Sequence, residues 1–287
     1  MIYNKSLTAI NCVLALLLVA TSHQIAADSV SKFNGLKPYQ LETNYINFIE
    51  VFGRQVPLPG GTWILAGVGI DPASKKDKRP YGVLATFVLF NLEGKNVTAF
   101  TLIHVNAIAT DGGWGISKDC QRNNYPFAKI YENGEQHAFC AFIHTLTTSV
   151  IPNDDALPAW KNAVQLAMQK GWYLPVRWRE VGFRISNWHD VLDVRYAFKG
   201  QDLISKQQPT LESTPEATLI HWVEGMLPGI YLGFKRSLTH QSSFNMPYDY
   251  NPSHTKRSFI TDSRQNTLSN SSYSLLKIVV SFKLIWF

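Results

Sequence analysis

The chain has 287 residues, with 27 Lys+Arg against 21 Asp+Glu for a formal charge of +6. At 45% hydrophobic and 17% charged, with only 3 Cys, it falls outside the wholly disordered, collagen-like and disulfide-dense classes. Its length fits one large domain or two small ones with a sizeable buried core.

Residues 1–27 read as a secretory signal peptide. Lys5 is the positive n-region, Val13–Ala20 the apolar h-region, and Ile25-Ala26-Ala27 a small-residue cleavage site before Asp28. The apolar run is shorter than the roughly 20 residues that a membrane anchor needs. The predicted localisation is therefore exported, periplasmic or secreted after cleavage near Ala27. Export would leave Cys120 and Cys140 in an oxidising compartment, where a structural disulfide is the expected state. Pairing them closes the loop 120–140 and contributes about 3 kcal/mol on the chain-entropy account. A redox-active Cys-x-x-Cys is absent, and no ligand set with zinc spacing assembles, so no metal and no cofactor are expected.

From about 43 to 147 the pattern is that of strands. Tyr45–Phe52 leads into Gln55–Gly61, whose prolines and glycines mark a loop, and Trp63–Ile70 follows. Tyr81–Phe90 and Val97–Val105 flank the hairpin punctuation Asn91–Asn96. Both are apolar on both faces, which predicts central strands covered on each side. A second hairpin is predicted between Phe127–Tyr131 and His137–Thr145, turning at Asn133-Gly134.

A helix is predicted near 156–170. Asp154 and Asp155 precede it, Pro158 opens its first turn, and Gly171 ends it. Leu157, Trp160, Val164, Ala167 and Met168 form its apolar stripe. In Val191–Phe198, Leu192, Val194, Tyr196 and Phe198 share one face and Asp193 and Arg195 the other, the alternation of a half-buried strand. Runs of strands with few helices predict an α+β fold, an antiparallel sheet over 43–147 plus 191–198, within an exported domain spanning 28–200.

Residues 201–240 read as a linker followed by an amphipathic helix near 215–236. Leu219, Trp222, Val223, Met226, Ile230 and Phe234 share its apolar side. Gly225, Gly229 and Gly233 recur every four residues and Pro228 sits among them, which costs about 6 kcal/mol relative to alanines. Such a helix cannot stand alone. It is expected to dock on its own domain first, then on a protein partner or a membrane surface. Residues 241–287 are predicted to be a disordered tail with an apolar end, Leu275–Phe287.

No G-x-S-x-G, H-E-x-x-H, P-loop or G-x-G-x-x-G pattern is present, and Gly67-Val68-Gly69 is only a G-x-G. The loop Asp111–Cys120 stands out, with Gly112, Gly113 and Trp114 as binding candidates on a loop pinned by the disulfide. Asp111, Asp119 and His104 are the candidate catalytic groups, with a packed core histidine as the simpler reading of His104. Lys75, Lys76, Lys78 and Arg79, and Arg177, Arg179 and Arg184 among Trp178 and Phe183, make a mildly basic surface. No nucleic-acid partner is expected. The chain resembles exported bacterial proteins in its address, which implies no reaction. Two functions are carried forward: a non-catalytic ligand- or partner-binding envelope protein, and an extracytoplasmic hydrolase around the Asp111–Cys120 loop.

Overall fold

The computed structural model describes residues 34–71, 83–109, 113–134, 137–148, 156–199 and 215–247. Ten strands and two α-helices make up the fold among these residues. They are β1 (Asn44–Tyr45), β2 (Phe48–Val51), β3 (Arg54–Pro57), β4 (Trp63–Ile70), β5 (Leu84–Glu93), β6 (Asn96–Asn106), β7 (Phe127–Asn133), β8 (His137–Thr147), α1 (Pro158–Lys170), β9 (Arg177–Asn187), β10 (Val191–Lys199) and α2 (Pro215–Phe234). Eight strands form one sheet in the order β1-β4-β5-β6-β10-β9-β8-β7, with every pairing antiparallel, and β2 and β3 form a separate hairpin. The protein is α+β, as the pattern of strands and helices predicts.

The sheet is covered on both faces, so the central strands are buried on both sides. On one face Ala66, Val88, Phe90, Phe100, Trp178 and Ala197 pack beneath α1. On the other, Phe87, Ile103, Phe183, Val194, Tyr196 and Phe198 pack with Trp222, Met226 and Ile230 of α2 and with Ile49 and Val56 of the β2–β3 hairpin.

Helix α1 occupies the predicted span, and Gly171 closes it in the left-handed conformation at φ 64°. Its start differs in detail. Leu157 is the N-cap and supplies no side-chain hydrogen bond, while Asp154 and Asp155 lie outside the described residues. Its buried face also differs, being Ala159, Ala163, Val164, Leu166 and Ala167, while Met168 is 68% exposed. The reason lies on β4. A Cβ on Gly67 would overlap the Ala159 carbonyl oxygen, and one on Gly69 would stand 2.8 Å from the Ala159 nitrogen. The G-x-G of this chain is a helix seat. It draws the alanine side of α1 against the sheet and turns Met168 outward.

Helix α2 is continuous through Pro228 and docks on its own domain. Gly233 lies against the Gln55 carbonyl of β3 and Gly229 against the Phe244 ring, with no room for a Cβ at either. Arg54 of β3 donates from Nη1 to the Phe234 carbonyl at 2.9 Å, capping the helix end, and its guanidinium lies 4.5 Å from the Phe234 ring centroid. The segment 241–247, expected to begin a disordered tail, is packed instead. Phe244 and Met246 are buried, and the Asn245 carbonyl accepts the Trp222 indole N–H at 2.7 Å. Those two side chains complete the apolar cover that α2 starts. Residues 1–27, read as a signal peptide, the basic run Lys75–Arg79, residues 201–214, read as a linker, and the apolar end Leu275–Phe287 lie outside the described residues.

The basic, aromatic segment at Arg177–Asn187 is a strand, and its arginines do not gather into one surface. Arg179 pairs with Glu216 of α2 at 2.9 Å, whereas Arg184 belongs to the opposite face. The second hairpin forms where expected, but β7 runs through Asn133, and Gly134 donates its N–H to the His137 carbonyl at 2.7 Å.

Candidate functional site

Helix α1 covers only part of its face of the sheet. Beyond its edge, successive strands set polar side chains in cross-strand register. Thr86, His104, Asp193 and Arg184 are aligned across β5, β6, β10 and β9, and the next rows hold Arg195 opposite Gly182 and Glu180 opposite His144. Residues directly opposite on an antiparallel sheet share a face, so these groups form one polar strip.

Arg195 is its centre. Its Nε donates to Asp193 Oδ1 at 3.1 Å, Nη2 to Asp119 Oδ2 at 3.1 Å, and Nη1 reaches Glu180 Oε1 at 3.4 Å. The guanidinium lies 5.4 Å from the Phe142 ring centroid. That ring fills the space over Gly182, where any Cβ would collide with it. Arg184 approaches Asp193 Oδ2 at 3.5 Å. His144 Nε2 is 2.8 Å from Glu180 Oε1, and its ring stacks on Tyr125 at 4.8 Å and 8°.

The electrostatics hold Asp193 and Arg195 charged. Burial pushes the Asp193 carboxyl upward, but Arg195, Arg184 and His104 outweigh it and leave it below the usual carboxylate range. Burial likewise opposes the Arg195 charge, yet Asp193, Glu180 and Asp119 bind its proton more firmly than in a free guanidinium. Burial, with the Asp119 hydrogen bond, pushes the Tyr125 phenol up.

The predicted disulfide joins Cys120 and Cys140, both buried, and it anchors the loop that rims this strip. Cys120 lies in a short 3-10 turn, Lys118–Gln121, capped by Ser117 Oγ accepting from the Asp119 N–H at 3.2 Å. The turn delivers Asp119 to Arg195, and Asp119 Oδ1 accepts the Tyr125 hydroxyl at 3.1 Å. Upstream the loop binds the sheet through its backbone. The Gly115 carbonyl accepts from Arg184 Nε at 3.0 Å and Ser186 Oγ at 3.1 Å, and the Trp114 carbonyl from Arg184 Nη2 at 3.1 Å.

Of the candidates read from the sequence, Asp119 is in the strip. Gly113 and Trp114 belong to the rim, where the Gly113 N–H reaches the Trp188 carbonyl at 3.0 Å and the Trp114 indole the His189 carbonyl at 3.2 Å. Asp111 and Gly112 lie outside the described residues. His104 sits in the strip's first row with Nδ1 3.5 Å from Asp71 Oδ2. Its partner is Asp71, whereas those of Asp119 are Arg195, Tyr125, Ser117 and Arg122, so the two do not form an acid–base pair. Sequence reasoning missed Arg195, Glu180 and Asp193 as site residues, and it noted His144 beside the second hairpin without singling it out. Among the described residues no group of three or more His, Cys, Asp or Glu side chains could hold a metal ion. No helix among them is long and apolar enough to cross a membrane. No protein-family model matches the chain, and no curated protein matches it in sequence.

Proposed function

We propose that this is an exported, non-catalytic binding module whose ligand or partner is met by the polar strip and its disulfide-held rim. The supporting observation is that the three carboxylates gathered on Arg195 are all committed to it. Asp193, whose carboxyl Arg195 and Arg184 hold below the usual range, is a poor general acid and a weak base, because acid–base catalysis works best with a group balanced near the working pH. Such a network instead holds a surface in one shape. The disulfide and the loop carbonyls on Arg184 serve the same end, fixing a recognition loop on a rigid sheet.

Export is tested by expressing the full chain in a secreting bacterial host. The expected product starts at Asp28, is recovered outside the cytoplasm and has no thiol open to labelling without reductant. An uncleaved, cytoplasmic, thiol-reactive product overturns that part. The non-catalytic part is tested on chromogenic ester, phosphate, glycoside and peptide substrates with wild type, Asp119→Asn and His104→Asn. Hydrolysis by wild type that both substitutions abolish would establish the hydrolase instead.

A further inference from the structure

We infer that Thr86 and His104 form a seat for one neutral hydroxyl group, supplied by water or by an alcohol of a bound ligand. The seat lies in the first row of the strip. It therefore rests on the binding reading and deepens it, by naming the group that the strip recognises.

Two buried atoms in that row lack partners. Among the described residues, Thr86 Oγ1 and His104 Nε2 are buried side-chain atoms with no hydrogen-bond partner. A buried polar atom left so carries its full desolvation cost, and folded proteins meet such atoms with a protein group or bound solvent. Two further atoms share the condition, Thr101 Oγ1 and Tyr131 Oη, but they sit apart on β6 and β7 and belong to the α2 face. Thr86 and His104 are directly opposite across β5 and β6. Such residues share a face and stand about 4.5–5.5 Å apart at Cβ, so one guest can touch both. Gly69 is the partner of Thr86 on β4, and a Cβ there would meet Pro158 and the Ala159 nitrogen, so α1 starts over this row. Thr86 is wholly buried, whereas the His104 side chain is 21% exposed, and the row opens to solvent at the histidine.

The neighbours decide the charge of the guest. His104 Nδ1 is 3.5 Å from Asp71 Oδ2, and Asp193 is the cross-strand partner of His104 on β10. Both carboxyls are buried, at 6% and 5% exposed. An anion beside them would add negative charge to a site short of water, which burial penalises heavily. A cation meets Arg184 and Arg195, which already balance Asp193. For a metal the donors are too few, since among the described residues no three His, Cys, Asp or Glu side chains gather to hold one. A neutral group remains. Thr86 Oγ1 donates or accepts, and Nε2 does one or the other according to the tautomer. A hydroxyl, which itself donates and accepts, satisfies the pair in either arrangement.

The test compares the oxidised full chain with Thr86→Val, which keeps the side-chain shape and removes the hydroxyl. With a guest seated, the variant loses a hydrogen bond and its urea midpoint falls by about 0.4 M. Without one, valine relieves an orphaned hydroxyl, so a midpoint equal to or above wild type overturns the inference. Glycerol is the hydroxyl probe, and acetate and methylammonium are the charged ones. A larger rise with glycerol in wild type than in Thr86→Val identifies a ligand alcohol as the occupant, and an equal rise assigns the seat to water. Selective stabilisation of wild type by either charged probe overturns the assignment. If Thr86→Val does not fold, a crystal structure of wild type decides. One water or glycerol oxygen within about 3.2 Å of both atoms is expected, and a protein atom or no density there overturns the seat. Failure of the seat leaves the disulfide-held rim as the binding surface, whereas a filled seat in a chain that hydrolyses the chromogenic substrates overturns the binding reading alone.

Discussion

Two residues set the local limits of this fold. Gly67 is where α1 meets the sheet, and its hydrogen leaves room for the Ala159 carbonyl. Gly67→Ala is expected to cost at least about 3 kcal/mol, because backbone cannot yield as a flexible side chain does. Gly94, at φ +61° with open space around it, is the control. Gly94→Ala should cost only about 1 kcal/mol of left-handed strain, so denaturant midpoints of the two variants should differ clearly. Asp193 sets an acid limit. Its carboxyl is held below the unfolded value, so its contribution is present above that value and lost as pH falls through the folded one. Wild type should therefore lose stability below about pH 4, with Asp193→Asn less stable at neutral pH but flatter on the acid side. Equal slopes below pH 4 would remove Asp193 from the account.

Among the elements, those with a repeating signature could be read in advance. The hairpin at Asn91–Asn96, the helix closed by Gly171 and the alternation of β10 all carry local patterns that physics reads in only one way. The strip escaped because its pieces mimic solvated positions. Asp193 and Arg195 alternate with apolar residues as the wet face of a strand would, yet Asp193 is 5% exposed. The arginines of β9 read as a basic surface. A signal was nevertheless present. Glu180, Gly182, Arg184 and Ser186 alternate with Val181, Phe183 and Ile185, and a glycine in such a row marks close approach by another side chain, here Phe142. What no local pattern carries is which strands become neighbours, since β10 inserts between β6 and β9. The rim is the element most open to test. Cys120→Ala with Cys140→Ala should lower stability by about 3 kcal/mol and leave the sheet folded, as read by urea unfolding and far-UV circular dichroism. An unchanged midpoint would mean that loop carbonyls and Arg195 hold the rim unaided.

At the scale of the whole molecule, the helix-bearing segment is part of the core. Trp222 alone meets Phe183, Tyr196 and Phe198 ring to ring, at centroid distances of 6.3, 5.4 and 5.1 Å. A chain ending at Gly200 should lack a cooperative unfolding transition and bind an apolar dye, whereas a wild-type midpoint in that truncation would show that α2 is dispensable. The arrangement has a further effect, in time rather than in space. Arg54 and the Phe234 carbonyl it caps are 180 residues apart, and Arg236 meets Glu50 across 186. One face of the sheet therefore stays only partly covered, by the β2–β3 hairpin, until the last described helix has left the ribosome. Contacts so distant in sequence also slow folding to roughly milliseconds or seconds. A nascent chain of this design stays open by default through most of its synthesis, which is the state that the proposed export would require.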